Sequence, residues 1–220
     1  MIINIFKFIK FKYFNIFICM KNILIATKNK DKYKIAHYLL EKLCFPKLNN
    51  YQYFSLNDIN YKGPEEKEEG TLIQRAEQKA KTVKNYLDKN NENKYEYIIG
   101  IDDGIFIKGK LQENIKDYVK KILYENYLNE NENFSFSRAY CVISKDNKIF
   151  KTITNVPYKY KTKKNAEIKE NTYPLSQVSC PIGMDKSLDE LNIEEGCLYC
   201  FNYSKDNLIQ LKKEIDIEHL

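Results

Sequence analysis

The chain has 220 residues, of which 43% are hydrophobic and 14% aromatic, and it is long enough to bury one sizeable core. Its 36 basic residues are nearly offset by 30 acidic ones, which leaves a net charge of +6. Because the lysines are scattered rather than grouped in stripes, the sequence does not indicate a nucleic-acid-binding surface. Phosphorylated small molecules as partners explain the net positive charge as well as a nucleic acid would.

Residues 1–19 form an apolar segment that Lys7, Lys10 and Lys12 interrupt. No uninterrupted run approaches the roughly 20 apolar residues of a membrane span, and a secretory cleavage site is lacking. We therefore interpret 1–19 as an N-terminal extension, either disordered or upstream of the true start, and 20–220 as a single domain. An interfacial membrane anchor is the alternative, but we expect no stable membrane insertion.

The cysteines lack the spacing of a disulfide framework, and the chain is long enough to fold without disulfide bonds. Cys197 and Cys200 have the C-x-x-C form, but no second pair completes a tetrahedral zinc site. We predict buried, reduced thiols in a cytoplasmic protein. A metal or redox role for this pair is the alternative.

Strands and helices alternate along the chain after Met20. The patterns predict strands at 23–26, 51–56, 97–101 with a continuation at 105–107, 134–144 and 148–160. They predict helices at 31–43, 71–87, 115–128, 187–191 and 207–215. Alternation followed by an antiparallel pair indicates an α/β fold with a mixed sheet.

A polar segment containing Thr27, Asn29 and Lys32 joins the first predicted strand to the first helix. Such a junction presents backbone N–H groups and the positive end of a helix, which suits a phosphate. A hydroxyl, an amide and an ammonium group would add donors and a charge. The alternative is an ordinary connection between a strand and a helix, with Asn29 or Asp31 capping the helix.

Two adjacent carboxylates, Asp102 and Asp103, follow a strand that we predict to be fully buried. Two charges near a core are costly unless a cation or hydrogen-bond donors compensate them. Neighbouring residues of a strand point to opposite faces, but a kink at Gly104 would let both carboxylates reach one cleft. A divalent metal ion in this cleft would compensate the two charges, with one carboxylate binding the ion and the other activating water. A hairpin turn is the alternative.

Two further segments carry charged candidates. The loop at 65–69 contains four glutamates, which usually form a solvated face but could supply a metal ligand. Later in the chain, Lys186 could reach a phosphate, and Ser187 with Glu190 forms a capping box.

In this order the segments resemble the inosine triphosphate pyrophosphatase superfamily, whose members cleave deaminated purine nucleoside triphosphates to the monophosphate and pyrophosphate with Mg²⁺. The family's [ST]-x-N-x-x-K motif is similar to Thr27, Asn29 and Lys32. Its later blocks are similar to residues 69–80, 102–106 and 186–195.

The resemblance implies an elongated mixed β-sheet with flanking helices and two lobes around a central cleft. It implies that Thr27, Asn29, Lys32 and Lys186 bind the substrate phosphates. It also implies nucleotide-pool house-cleaning and allows a homodimer.

The resemblance further implies a magnesium site and a catalytic carboxylate. Asp102 would bind Mg²⁺ together with Glu68 or Glu69. Asp103 would orient and deprotonate the water that attacks the α-phosphorus.

The sequence departs from the family pattern in three places. The Gly-Phe-Gly-Tyr-Asp-Pro loop is missing, neither His nor Arg occurs at 200–202, where a base-contacting Ser-His-Arg triplet would fall, and Arg75 stands where the family usually has Asn. The phosphate-binding and metal-binding motifs therefore match the family pattern better than the motifs that contact the base. A nucleotide-binding protein that has lost hydrolysis is the alternative. Residues 100–105 also resemble the related inosine/xanthosine triphosphatases, which leaves the subfamily open.

Overall fold

The computed structural model describes residues 20–46, 50–64, 69–92, 94–112, 115–125, 127–162 and 175–218. The predicted N-terminal extension and Glu68 lie outside the described residues. The elements in chain order are β1 (Lys21–Ile25), α1 (Lys30–Leu43), β2 (Tyr51–Ser55), α2 (Leu72–Lys89), β3 (Tyr95–Ile107), β4 (Lys110–Gln112), α3 (Ile115–Tyr124), β5 (Asn133–Ser144), β6 (Ile149–Tyr160), β7 (Ser179–Pro181), a 3-10 turn (Leu188–Glu190) and α4 (Ile193–Ile217).

The described strands form one mixed sheet in the order β2-β1-β3-β5-β6-β7, with β4 paired to β3. Strand β1 is parallel to both β2 and β3. The remaining pairs are antiparallel, including the predicted β5–β6 hairpin. The predicted α/β class, with a mixed sheet flanked by helices, is confirmed.

The sheet buries apolar side chains on both faces, because alternate residues of each strand point in opposite directions. On one face, Ile23 and Ile25 of β1 belong to a core cluster that includes residues of α1, α3 and α4. On the other face, Leu24 packs in a cluster with Ala76 and Ala80 of α2. Burial on both faces explains why β1 is a continuous apolar run.

Strand β3 differs from its prediction in a way that matters for the site. It runs without interruption through Asp102 and Asp103, paired regularly with β5 from Tyr97 to Ile107. The expected strand end and the kink at Gly104 are therefore wrong. A Cβ atom on Gly104 would lie 2.8 Å from Leu72 Cδ1, so this glycine allows α2 to approach the sheet rather than forming a turn.

The last helix is longer than predicted. Helix α4 begins at Ile193, not at 207, because Asn192 and Glu195 form a capping box at its start. Among the helices that the structure describes, none has both the length and the apolar character needed to cross a membrane.

Candidate active site

The junction between β1 and α1 is organised by hydrogen bonds of its own side chains. Asn29 Oδ1 accepts from the backbone N–H groups of Asp31 (3.0 Å) and Lys32 (2.9 Å), which makes Asn29 the N-cap of α1. Thr27 Oγ1 accepts from the N–H group of Asn29 at 3.2 Å. Because these backbone donors already have partners, the capping interpretation of Asn29 is confirmed, and side-chain cations become the main candidates for binding an anion.

Replacing Asn29 with Ala is expected to reduce the free energy of unfolding by about 1 kcal/mol, since two N–H groups lose their acceptor. Asn29→Asp is the matched control, because Asp caps helices equally well. Urea denaturation of the three proteins measures the difference. Equal stability of the wild type and Asn29→Ala would contradict the capping role.

A cavity of about 220 Å³ lies beside this junction. Thr27, Lys28 and Lys32 line it from the chain after β1, and Lys79 lines it from α2. Several ammonium groups around one small cavity create a positive potential that attracts phosphate. We call this space the lysine cavity. Neither Asn29 nor Lys186 lines it.

Asp102 points from β3 towards α2 and is only 4% exposed. Its Oδ2 accepts from Arg75 Nε at 2.6 Å, and its Oδ1 forms an ion pair with Lys79. Arg75 is also buried, and its Nη1 donates to the Gly70 carbonyl at 3.0 Å. The Asp102 charge is therefore compensated on this face by two cations from a single helix.

Asp103 points to the opposite face of the sheet and is 7% exposed. Arg138, its cross-strand neighbour on β5, donates from Nε to Oδ1 at 2.6 Å and from Nη2 to Oδ2 at 3.0 Å. Lys32 Nζ lies 3.3 Å from Oδ2. Burial acts to raise the pKa of Asp103, but the charges and hydrogen bonds of Arg138 and Lys32 outweigh it and hold this pKa well below its usual range.

A larger cavity of about 460 Å³ opens on the Asp103 side. Its walls come from α1, β5, β6 and α4 and are mostly apolar, as Leu39 and Val156 illustrate. Ser176 and Ser204 line it, and their buried hydroxyl oxygens have no hydrogen-bond partner among the residues that the structure describes. A large apolar space with a few polar groups is typical of a small-molecule site. We call it the apolar cavity.

Cys197 and Cys200 also line the apolar cavity. Both are buried free thiols, and burial raises the pKa of each. The prediction of buried, unpaired thiols is confirmed for the five cysteines that the structure describes.

Asp102 and Asp103 do not fit a magnesium site, because both are already paired with cations of the protein. Mg²⁺ requires hard oxygen ligands at about 2.0–2.1 Å in octahedral geometry. Both oxygens of Asp102 and both oxygens of Asp103 already contact Lys or Arg nitrogens. Within the described ranges, no group of three or more His, Cys, Asp or Glu residues could hold a metal ion.

The remaining predicted site residues are dispersed. Glu69 is exposed, with Glu68 outside the described residues. Lys186 is exposed on the turn after β7 and lines neither cavity. The capping box of Ser187 and Glu190 is confirmed.

Three cations of the site were not predicted from the sequence. Arg75 and Lys79 lie at the spacing of the apolar stripe of α2, between Leu72 and Ala80. Arg138 interrupts an alternating apolar series on β5. A charged residue at a position where the period calls for an apolar one is a signal of a buried partner, and it could have identified all three.

Three solved structures have a similar fold over most of this chain. A Ham1 protein of Staphylococcus aureus has a TM-score of 0.59, with 90% of this chain and 100% of that chain covered. A Ham1 protein of Coxiella burnetii has a TM-score of 0.58, with 89% and 100% covered. A nucleoside-triphosphatase, or dITP/XTP pyrophosphatase, of Mycobacterium abscessus has a TM-score of 0.52, with 83% and 94% covered.

Sequence identity is 14% in each of these three comparisons. No protein-family model matches the chain, and no curated protein matches it significantly. The chain therefore shares the fold of these Ham1 proteins at low sequence identity.

Proposed function

We propose that the chain hydrolyses nucleoside triphosphates to the monophosphate and pyrophosphate, with deaminated purine nucleotides as the substrate class. One observation carries this proposal. The two residues of the Lys32–Asp103 ion pair line different cavities, Lys32 the lysine cavity and Asp103 the apolar cavity, so the pair links the two. A charged compartment beside a mostly apolar one matches a nucleotide, with its phosphates in the first and its nucleoside in the second.

The residues of this chain have distinct roles in the proposed reaction. Lys28, Lys32 and Lys79 neutralise the polyphosphate in the lysine cavity. Water attacks the α-phosphorus, the bond from this phosphorus to the bridging oxygen breaks, and pyrophosphate leaves. Such reactions depend mostly on positioning and charge neutralisation.

Asp103 is better suited to orient the attacking water than to deprotonate it. A general base works best when its pKa lies near the working pH. Arg138 and Lys32 hold the pKa of Asp103 far below that. The proton is therefore expected to pass to solvent or to the leaving pyrophosphate.

Pyrophosphate release from a panel of ordinary and deaminated triphosphates, each with Mg²⁺ and with EDTA, tests the proposal. We expect turnover on at least one deaminated purine triphosphate. Absence of turnover across the panel would favour the second candidate, a nucleotide-binding protein without hydrolysis, which the missing Ser-His-Arg triplet motivates. The Mg²⁺ requirement stays a prediction, and no step above passes through the ion.

Lys32→Gln is expected to raise KM for the triphosphate about tenfold or more, because one charge-assisted contact to phosphate is lost. Lys42→Gln is the matched control, since Lys42 is exposed on the same helix and lines neither cavity. Steady-state kinetics of both variants measure the effect. An equal rise in KM for both would point to general electrostatics rather than to a site.

A homodimer, which the resemblance allows, and a cytoplasmic location, which the predicted reduced cysteines indicate, are further expectations. Light scattering of the purified chain tests the dimer, and fractionation of expressing cells tests the location. We propose no nucleic-acid partner, which a gel shift at low salt would contradict.

A further inference from the structure

The face of β3 that meets α2 has an alternating pattern of small and charged residues. Gly100, Asp102 and Gly104 occupy successive positions on this face. A Cβ atom on Gly100 would lie 1.9 Å from the Ala76 carbonyl oxygen, and one on Gly104 would lie 2.8 Å from Leu72 Cδ1. The two glycines therefore allow α2 to pack directly on the strand on either side of Asp102.

This close approach places two cations of α2 against one carboxylate. Arg75 donates from Nε to Asp102 Oδ2 at 2.6 Å, and Lys79 pairs with Oδ1. Arg75 is 6% exposed and is anchored a second time at the Gly70 carbonyl. Displacing it would leave a buried guanidinium without its carboxylate, which is strongly unfavourable.

Asp103 is likewise paired with two cations on the other face of the sheet. The bidentate contact with Arg138 and the ion pair with Lys32 involve both of its oxygens. A divalent ion bound by either aspartate would have to displace cations or lie beside them. Displacement would leave the cations without their carboxylate partners, and Coulomb repulsion opposes a metal ion that lies beside them.

Around Asp102 and Asp103, the side chains that the structure describes carry more positive than negative charge. Four cations surround the two aspartates, and Lys28 adds another in the wall of the lysine cavity. A polyphosphate chain carries the opposite charge and presents oxygens to each ammonium group. The protein itself thus supplies the positive charge that a bound metal ion would otherwise bring to the phosphates.

We propose that the lysine cavity binds a polyphosphate chain directly, without a divalent metal ion, and that Arg75 and Lys79 occupy the carboxylate Asp102 to which the resemblance assigns Mg²⁺. The ligand class rests on the proposed function. The mode of binding rests on the contacts of Asp102 and Asp103.

Binding of inorganic tripolyphosphate to the full-length, metal-stripped chain tests the inference by titration calorimetry. We expect binding in EDTA that is at least as tight as binding in excess Mg²⁺, which would screen the phosphate charge. Binding that requires Mg²⁺, or no binding under either condition, would overturn the inference.

Two variants sharpen the test. Arg75→Asn, which introduces the residue usual in the family, is expected to weaken binding in EDTA about tenfold and to make added Mg²⁺ restore it. Lys79→Gln, whose side chain is partly exposed, is expected to weaken binding similarly and serves if Arg75→Asn does not fold. Lys81→Gln, exposed on the same helix, is the control and should bind as the wild type does. Wild-type affinity in both test variants would overturn the inference.

The result can be separated from the fate of the proposed function. Tripolyphosphate has no nucleoside, so a chain inactive on every nucleotide can still bind it without metal. Conversely, nucleotide turnover together with Mg²⁺-dependent tripolyphosphate binding would keep the function and refute the inference.

Discussion

Asp103→Asn is expected to reduce kcat/KM for triphosphate hydrolysis by a factor of about 10² or more, because the attacking water and Lys32 lose their positioning. The substitution keeps the shape of the side chain but removes the charge that holds Lys32 and Arg138. Lys32 lies 3.3 Å from this carboxylate and lines the lysine cavity. Its ammonium group would lose the charged partner that sets its position, and the attacking water would lose a charged acceptor.

The same substitution also affects stability, and the two effects must be separated. Arg138, whose side chain is only 15% exposed, would remain opposite a neutral Asn. Breaking a largely buried ion pair in this way costs up to about 3–5 kcal/mol. The double variant Asp103→Asn with Arg138→Gln removes both charges. We expect urea denaturation to show partial recovery of stability, while pyrophosphate release stays low.

Asp146→Asn is the matched control for the loss of one carboxylate, since Asp146 is exposed in the β5–β6 turn. It should match the wild type in turnover and in stability. If Asp103→Asn retained near-normal kcat/KM, Asp103 would have no role at the reacting centre. If the double variant recovered activity, the loss in Asp103→Asn would come from the uncompensated Arg138 charge instead.

The elements that the sequence predicts well are those whose causes are local. Helix α1 begins where Asn29 caps it, and α2 follows the apolar spacing from Leu72 to Leu87. The β5–β6 hairpin follows from two long runs separated by a polar turn. Each signal is contained within a few neighbouring residues, so pattern and propensity are enough.

The carboxylate pair shows why the site itself was harder to predict. Two buried aspartates in the sequence predict that their negative charges are compensated. In the structure Arg75 compensates Asp102 and Arg138 compensates Asp103. These arginines lie 27 residues before Asp102 and 35 residues after Asp103. A metal ion and a set of cations satisfy the same electrostatic requirement. Only tertiary contacts distinguish them, because spacing along the chain does not show which side chains meet across a sheet.

The length of β3 was missed for a related reason. Asp and Gly are depleted in strands, so Asp102 to Gly104 favours a turn by propensity. Pairing with β5 and packing against α2 override that preference. The alternation of Gly100, Asp102 and Gly104 is the sequence signal of a helix packed closely on one face of a continuous strand.

Gly100→Ala is expected to lower the free energy of unfolding by about 3 kcal/mol or more, the upper part of the range for overpacking. The added methyl group would lie 1.9 Å from the Ala76 carbonyl oxygen and 2.8 Å from the Ala80 backbone nitrogen. Both atoms belong to helix backbone, so no side-chain rotation relieves the contact. Either α2 moves away from β3, or the strand distorts.

Movement of α2 would have a second consequence, since the helix carries both cations that contact Asp102. Gly100→Ala is therefore expected to lose tripolyphosphate binding as well as stability, although the substituted position lines neither cavity. Gly196→Ala in α4 is the matched control for tripolyphosphate binding, since Gly196 lines the apolar cavity but not the lysine cavity. Nothing lies within 4 Å of its added methyl group, so it should raise stability by up to about 1 kcal/mol, the gain of Ala over Gly in a helix. Urea denaturation and titration calorimetry on both variants measure the two effects. Wild-type stability in Gly100→Ala would show that α2 does not pack on β3 as closely as the contact with Ala76 requires.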